Sequence, residues 1–431
     1  MSDVISRRVQ TSPTSLAHLP EDIQAEILLH LPSPHHNLLR ASQVCGLWRR
    51  LVRNPAFLHS FRERRNGTPP LIGVFHDRSF SSNRRFTPVD EDSTATGMFR
   101  CSTSWRILDC RHGRVLFLND EASAVFLVWD PMAGGFNVIN MPSDWTACHH
   151  DELNGAVVCT AGDDDEGRHG DCRASPYLVV LLAGRAPRAL VSIYSSVARE
   201  WSETISYDGL PMWADVRLQP CVVIGTTLYQ PLHASHTLSF DLESRNFNVI
   251  PHPLETAWMD VQIMKLDGRT LGLIMLLLAC INFWEREQAG HWVLRRTVHL
   301  DILEPLSAAA ATSHGPGNFR SVKLLGACEH GNVIFLEKGI SVFLFYLDSL
   351  KLKKILFGDA IPLGTLSPYE SFYAPRVFNC CDNSVLCDLG GQLSEQLNKS
   401  NLCHPDYDSL NSMTRHSLIG VGENMTETLS D

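Results

Sequence analysis

The spacing of apolar positions changes character once along this chain. From Leu16 to Phe57 (LAHLPEDIQAEILLHLPSPHHNLLRASQVCGLWRRLVRNPAF) apolar residues recur at steps of three and four, and after Pro69 they come in short runs divided by turns. In the first stretch a helix is expected to begin at Pro20, whose missing N–H would have had no partner in a first turn. Glu21 and Asp22 then meet the positive end of the helix dipole. Ile23, Ile27, Leu28 and Leu31 follow at helical spacing, and Pro32 with Pro34 stops the pattern. A second helical pattern from Asn37 puts Leu38, Ala41, Cys45 and Trp48 on one face, widened by Val44, Leu51 and Val52 until Asn54-Pro55. Phe57 and Leu58 follow as anchors, so the whole reads as a three-helix hook.

A segment of about forty residues cannot bury enough apolar surface to fold securely alone, and a partner is the natural complement. The same residues resemble the F-box: Leu19-Pro20, Ile23, Glu26-Ile27-Leu28, Leu31-Pro32, Leu38-Leu39-Arg40, Val44-Cys45, Trp48-Arg49 and Leu51 stand in that family's order and approximate spacing. Gly46, where relatives often carry a basic residue, and the insert His35-His36 depart from the pattern without removing an anchor. The resemblance implies binding of a Skp-type adaptor, and through it a cullin, in a multi-subunit ubiquitin ligase. The residues it marks for that contact are Leu19, Pro20, Ile23, Ile27, Leu28, Leu31, Leu38, Val44, Cys45, Trp48 and Leu51. Which of them face the adaptor and which face each other is left open. A fully buried Trp48 would cost the hook about 3 to 5 kcal/mol on truncation to Ala.

Beyond Pro69 the runs are β-like, as in Arg114-Val-Leu-Phe-Leu118, Val125-Phe-Leu-Val-Trp129 and Val333-Ile-Phe-Leu336. An internal repeat is visible: WDPMAGGFNVINMP from Trp129 and FDLESRNFNVIPHP from Phe240 share an aromatic-Asp opening, a turn, Phe-Asn-Val-Ile and a closing Pro. Weaker copies start at Ile193, Asn282 and Phe345. The second-strand markers Phe136, Trp201, Phe247, Trp292 and Leu352 lie roughly 45 to 65 residues apart, the range of a four-stranded propeller blade whose outer pair such a hairpin supplies. Closure is expected where Leu71-Ile-Gly-Val-Phe75 meets the region of Ser371-Phe-Tyr373; the competing architecture is a β-sandwich of irregular hairpins. The apolar run Leu271 to Ile281 is too short to span a bilayer and reads as one buried strand. In order behind the F-box, Trp105 to Arg114, Val128-Trp-Asp-Pro131, Trp292 to Arg296, Gly331 to Phe335 and Ser371 to Pro375 resemble the F-box-associated β domain of grass-type plant F-box proteins.

The fold class expected is therefore α+β multidomain, an N-terminal three-helix F-box before a mainly-β, propeller-like domain of five to six blades. Boundaries fall at 1–15 (disordered), 16–62 (F-box), 63–104 (linker with candidate closing strands), 105–375 (β domain) and 376–431 (a mostly disordered tail). A 44% hydrophobic, 19% charged composition fits a folded chain, and a net charge of −10 argues against general nucleic-acid binding. The basic run Arg49 to Arg65 reads as the solvated back of the last F-box helix. Thirteen cysteines form no disulfide framework, and MSDVISRRVQ lacks a signal's apolar run, which places the protein in cytoplasm, nucleus or both, without a membrane partner. The three glycosylation sequons at Asn66, Asn398 and Asn424 are discounted accordingly.

Chemistry is scarce. Cys148-His149-His150-Asp151 lacks the further ligands a zinc site needs, and Asp163-Asp-Asp-Glu166 lacks calcium-loop spacing. Phosphate-loop and nucleophile-elbow motifs are absent, and no cysteine has a setting that marks an activated thiol. The reading is a non-catalytic adaptor with no cofactor and no metal, whose β domain binds a target protein. Two alternatives stand beside it: a stand-alone propeller that binds or hydrolyses a small molecule, and an F-box docking protein acting outside a ligase.

Overall fold

The structure, a computed structural model, describes residues 19–31, 34–65, 68–79, 86–89, 105–119, 125–131, 135–145, 153–161, 175–253, 260–266, 269–277, 280–300, 322–329, 333–339, 341–355 and 362–372. The expected disordered ends, Cys148 to Asp151 and Asp163 to Glu166 lie outside the described residues. The chain divides into two units, Met1–Val377 and Phe378–Asp431, and all described residues belong to the first.

Four helices form the hook: α1 (Glu21–Leu29), α2 (Pro34–Val44), α3 (Gly46–Arg53) and α4 (Pro55–Arg64). This corrects the three-helix expectation in three places. Pro20 is the N-cap of α1 (φ −52°, ψ 150°) rather than its first residue, its carbonyl accepting the Gln24 N–H at 3.1 Å. Pro34 opens α2, where its fixed φ is an asset, instead of merely stopping α1. The stripe read continuously through Cys45 is broken there: Cys45 is extended (φ −154°, ψ 163°), and its sulfur accepts the Trp48 N–H at 3.4 Å as cap of α3. Asn54 then caps α4, its Oδ1 accepting the Ala56 N–H at 2.8 Å, with Pro55 in the first turn. Leu28, Leu38, Ala41, Val52, Phe57 and Phe61 form the buried centre of the four helices.

The remainder is a six-blade β-propeller. Strands β1 (Leu71–Ser79) and β2 (Phe86–Pro88) come first and belong to the last blade. The first full blade is β3 (Trp105–Arg111), β4 (Arg114–Asn119), β5 (Val125–Asp130) and β6 (Gly135–Asn140). The second is β7 (Leu153–Cys159), β8 (Tyr177–Arg185), β9 (Arg188–Ser195), β10 (Glu200–Trp201) and β11 (Ile205–Tyr207), the last two both pairing with β9. The third comprises β12 (Val222–Ile224), β13 (Thr227–Leu232), β14 (His236–Asp241) and β15 (Phe247–Pro251). The fourth comprises β16 (Asp260–Leu266), β17 (Thr270–Leu277), β18 (Cys280–Arg286) and β19 (Trp292–His299). The fifth comprises β20 (Val322–Ala327), β21 (Val333–Lys338), β22 (Ser341–Tyr346) and β23 (Lys351–Ile355). Finally β24 (Pro362–Glu370) pairs with β1 from Leu71↔Glu370 to Ser79↔Pro362, completing the sixth blade in the order β2-β1-β24.

All pairings within the blades are antiparallel, and the first, third, fourth and fifth blades are simple meanders. At His112-Gly113 both residues have positive φ (53° and 73°), the primed geometry that matches strand twist between Arg111 and Arg114. The five sequence markers fall in equivalent places, the outermost strands, paired as Trp129↔Phe136, Tyr194↔Trp201, Phe240↔Phe247, Arg286↔Trp292 and Phe345↔Leu352. Innermost strands touch their neighbours around a ring: β24 meets both β3 and β20, β3 meets β7, and β16 meets β12 and β20. That excludes the sandwich.

Apolar layers fill the junctions between successive blades, and the closing junction is aromatic. Phe75 meets Tyr369 at 5.6 Å, Phe86 at 4.8 Å and, across the seam, Trp129 at 6.3 Å. The run Leu271 to Ile281 is two strands, not one: β17 ends at Leu277 and β18 begins at Cys280. A second strand in a blade is covered by neighbouring blades on both faces, so β17 carries no polar side chain from Leu271 to Leu277 and shows no alternation.

Candidate partner-binding surfaces

The eleven F-box positions separate by burial. Leu28 and Leu38 are fully enclosed and hold the helices to one another. Leu19, Ile27, Leu31, Trp48 and Leu51 are half-buried. Pro20 and Cys45 are exposed, as are Ile23 at 45% and Val44 at 68%, and two large aliphatic side chains so placed on a small helical unit form unburied apolar surface.

A polar clamp that the sequence did not mark fixes the start of this surface. Gln24 is 2% exposed; its Nε2 donates to the Leu19 carbonyl at 2.8 Å, and its Oε1 accepts the Trp48 indole N–H at 2.6 Å. Leu19-Pro20 is thereby tied to α3 through one side chain. The signal was present: Gln24, Leu28 and Leu31 lie at i, i+4 and i+7, so Gln24 occupies an inward position. Trp48 is half-buried rather than enclosed, and its role is as much to donate to Gln24 as to fill the core.

Helix α4 joins the hook to the propeller. On one side Arg64 bonds to Glu26 and to His30 Nε2 at 2.9 Å, an exposed network of modest worth. On the other, Phe61 meets Phe372 edge-on at 6.2 Å and the Arg62 guanidinium lies 5.4 Å from that ring. Phe372 lies two residues beyond the end of β24, so the helices pack against the ring-closing blade.

In the propeller's centre Arg111, at the end of β3, is buried and spans several blades. Its Nε and NH2 bond to Asp109 at 2.8 and 3.1 Å, NH2 also donates to the Cys221 carbonyl at 2.6 Å, and NH1 reaches Glu329 at 3.3 Å. Asp109 Oδ2 accepts the Val157 N–H at 2.8 Å. Burial alone would lower the Arg111 pKa, but Asp109 and Glu329 raise it above the ordinary value. Burial holds the Asp109 pKa above the ordinary carboxylate value, against the opposing pull of Arg111 and the Val157 N–H. Because a guanidinium does not give up its proton in the working range, Arg111 stays a cation at the centre of these contacts.

Three thiols line this region. Burial raises Cys110 and Cys328 well above the ordinary thiol value and Cys221 to about 12, so none is a thiolate nucleophile. The cavity they border measures about 40 Å³, far below the roughly 300 Å³ where small-molecule sites begin. Carboxylates do converge here, as a hydrolytic propeller would require, but Arg111 occupies them. A larger groove of about 470 Å³ lies at the rim between the first two blades, where Trp201 Nε1 donates to the Asn140 carbonyl and Trp145 Nε1 to Thr204 Oγ1, both at 2.7 Å. Among the described residues no cluster of His, Cys, Asp and Glu could hold a metal ion, and no helix is long and apolar enough to cross a membrane.

A helical adaptor-type hook fused to a six-blade ring whose described centre is packed and neutralised defines an F-box protein with a propeller. Comparison with known families agrees: residues 16–63 match the F-box-like family and residues 106–362 match the family described as F-box protein AT5G49610-like, beta-propeller. The chain belongs to that F-box propeller family. It is 25% identical over 293 residues to an Arabidopsis thaliana protein described as an F-box protein, At1g47790, covering 64% of this chain and 67% of that one. Among solved structures, a protein from Lactobacillus plantarum is 12% identical with a TM-score of 0.37, covering 69% of this chain and 99% of that one. A functionally unknown protein from Desulfotomaculum acetoxidans is 10% identical with a TM-score of 0.33, covering 63% and 77%. Likenesses this distant do not bear on function.

Proposed function

We propose that this protein is the substrate-recognition subunit of a Skp-cullin-F-box ubiquitin ligase, docking a Skp-type adaptor through its helical hook and a target protein through the propeller. The observation that carries the reading is the exposed apolar surface at Ile23 and Val44, beside a Leu19-Pro20 start held by Gln24. In this reading Pro20, Ile23, Val44 and Cys45 touch the adaptor, with Leu19, Ile27, Leu31, Trp48 and Leu51 at its border and Leu28 and Leu38 behind them. Transfer chemistry belongs to other subunits, since the family is of the non-catalytic adaptor type and the buried thiols here are inert. Cytoplasm, nucleus or both is the compartment we assign, from reduced cysteines and the ligase role. The grass-type character of the β domain is likewise our assignment, resting on the ordered strings from Trp105 to Pro375.

The test is a pull-down of the Skp adaptor and cullin with the full chain, beside Leu19→Ala/Pro20→Ala and Ile23→Asp/Val44→Asp variants confirmed as folded by circular dichroism. Asp at position 23 lies in the first turn of α1, where its charge suits the dipole. Adaptor and cullin retained by wild type and lost from both variants support the proposal. Adaptor binding without cullin would favour a docking protein outside a ligase, and no adaptor binding by folded wild type sinks both.

A further inference from the structure

The rim groove of about 470 Å³ between the first two blades has two different walls. One is β6, the outer strand of the first blade, which among the described residues pairs on one side only; Val138 to Asn140 of this strand line the groove. The other is the divided outer strand of the second blade. Trp201 pairs with Tyr194 and Ile205 with Val191, so four steps on this strand face three on β9, and the extra residue makes a bulge. The bulge is fixed from within: the Ser202 N–H donates to the Ile193 carbonyl at 2.8 Å, and the Ile193 N–H donates to Ser202 Oγ at 3.0 Å. Ser202, Glu203 and Thr204 are thereby delivered to the groove.

Two tryptophans tie these walls together. Trp201 Nε1 donates to the Asn140 carbonyl, and Nε1 of the fully buried Trp145 to Thr204 Oγ1, each at 2.7 Å. The groove is therefore preformed, and its volume lies in the range of ligand sites. The residue before each member of the second tie is a carboxylate, Asp144 and Glu203, both exposed and both lining the groove. Beyond the first tie lies Arg199, also on the groove wall, whose charge reaches Tyr194: burial raises the pKa of that hydroxyl and Arg199 opposes the rise. Among the described residues Asp144, Glu203 and Arg199 have no ion-pair or side-chain hydrogen-bond partner.

This arrangement identifies what would bind. The groove is acidic at one end and basic at the other, and Arg199 and Glu203, four residues apart, are separated by at most about 13 Å of extended chain. A small ion would satisfy one end alone. An extended peptide reaches both, lays intervening side chains on the Trp201 and Tyr194 rings, which meet edge-on at 5.4 Å, and can add its backbone to the open edge of β6.

We propose that this groove docks an extended segment of a target protein, taking a basic side chain between Asp144 and Glu203 and an acidic one at Arg199. The proposal rests on the substrate-recognition reading, and its test involves neither adaptor nor cullin, so the two fail separately. The full chain is immobilised and exposed to three pools of short fluorescent peptides built on Ser, Thr, Val and Gly. One pool has a Lys or Arg four positions from an Asp or Glu, the second has acidic residues at both positions, and the third has basic residues at both. Wild type should retain the mixed pool about fivefold better than either other pool, less so at high salt. The net charge of −10 by itself favours the basic pool, so a margin for the mixed pool over it reports the groove. Asp144→Asn/Glu203→Gln should erase the margin over the acidic pool and keep the margin over the basic one. Arg199→Gly, at φ +58° where glycine is at ease, should do the reverse. Glu243→Gln, at an exposed glutamate of the third blade, should keep both margins. Melting temperatures should not change, since the groove charges are exposed and unpaired. Equal retention of the three pools by wild type, margins that survive the groove variants, or margins that fall together in each would overturn the proposal.

Discussion

Replacing Gln24 by Leu tests whether the polar clamp holds the hook together. The side chains are of similar size, so the change removes the hydrogen bonds to the Leu19 carbonyl and from the Trp48 indole without opening a cavity. Each bond contributes about 0.5–1.5 kcal/mol net, and a partner left dry costs more. Leu19 and Trp48 are only half-buried, so water reaches both in the variant and the loss is expected near 2 kcal/mol. Whole-chain melting would confound hook and propeller, so the assay is native-state hydrogen exchange by mass spectrometry on the full chain, read in α1 and separately in the blades. A loss of 2 kcal/mol raises the open population of α1, and with it exchange where reclosing is fast, by about 30-fold and leaves β17 unchanged. Trp48→Phe, which keeps a ring but no donor, should accelerate α1 exchange no further when combined with Gln24→Leu, a coupling of about 1 kcal/mol. If α1 protection changes by less than about threefold, or the two substitutions simply add, the clamp is not what holds Leu19-Pro20.

The central ion network gives a second expectation: Arg111→Met leaves Asp109 and Glu329 without their cation and should cost about 3–5 kcal/mol, a fall of about 6 to 12 °C in the propeller's melting temperature. An unchanged melting temperature would show the network to be dispensable. At Gly73 an added Cβ would lie 2.3 Å from the Phe86 ring and 2.6 Å from the Thr87 carbonyl, so Gly73→Ala should destabilise ring closure by about 1–3 kcal/mol, while Gly135→Ala, with nothing within 4 Å, should be near neutral by the same melting assay. His252 supplies a pH dependence: burial, then His236 and Arg217, lower its pKa from 6.5 to about 3. The unfolded chain therefore binds the extra proton between those values, so stability falls as pH drops from 6.5 towards 3, by at most about 1.4 kcal/mol per pH unit. His252→Gln should flatten the melting temperature against pH between 6.5 and 5, and an equally steep profile would refute the assignment.

The hook was legible because its core residues recur at helical spacing, but the number of helices was not. Cys45 keeps that spacing while leaving the helical conformation, and a sulfur cap carries no familiar Ser, Thr, Asp or Asn signature. In the propeller the outer hairpins were legible, because their outer faces meet water and impose a polar turn between aromatic markers, as at Trp129↔Phe136 and Phe240↔Phe247. Inner strands gave less away. Leu278 and Ala279, between β17 and β18 in the sequence, are as apolar as the residues on either side, so nothing in the pattern divided the run. The Arg111 network was hidden for another reason, since its partners come from positions 109, 221 and 329 and only ring closure brings them together. Gln24 was readable from its inward position.

The joint between hook and ring follows from how the ring closes. β1 comes just after the helices, and β24 arrives beside it after the chain has passed through five further blades. Pro69 and Pro70 are buried at the start of β1, the Pro70 carbonyl accepts the Ser371 N–H at 3.2 Å, and Phe372 packs on Phe61. The helices are therefore held at both ends of the propeller's chain, covalently through residues 65–70 and by packing through Phe372. A single flexible linker would let a docked adaptor wander and dilute any target on the ring, whereas two attachments to one blade restrict the range of mutual orientations. For a protein whose proposed work is proximity, effective concentration depends on that restriction as directly as on either binding surface. The closing sheet has three strands among the described residues, where each full blade has at least four, and its core is aromatic: Phe75, Phe86, Tyr369 and, across the seam, Trp129.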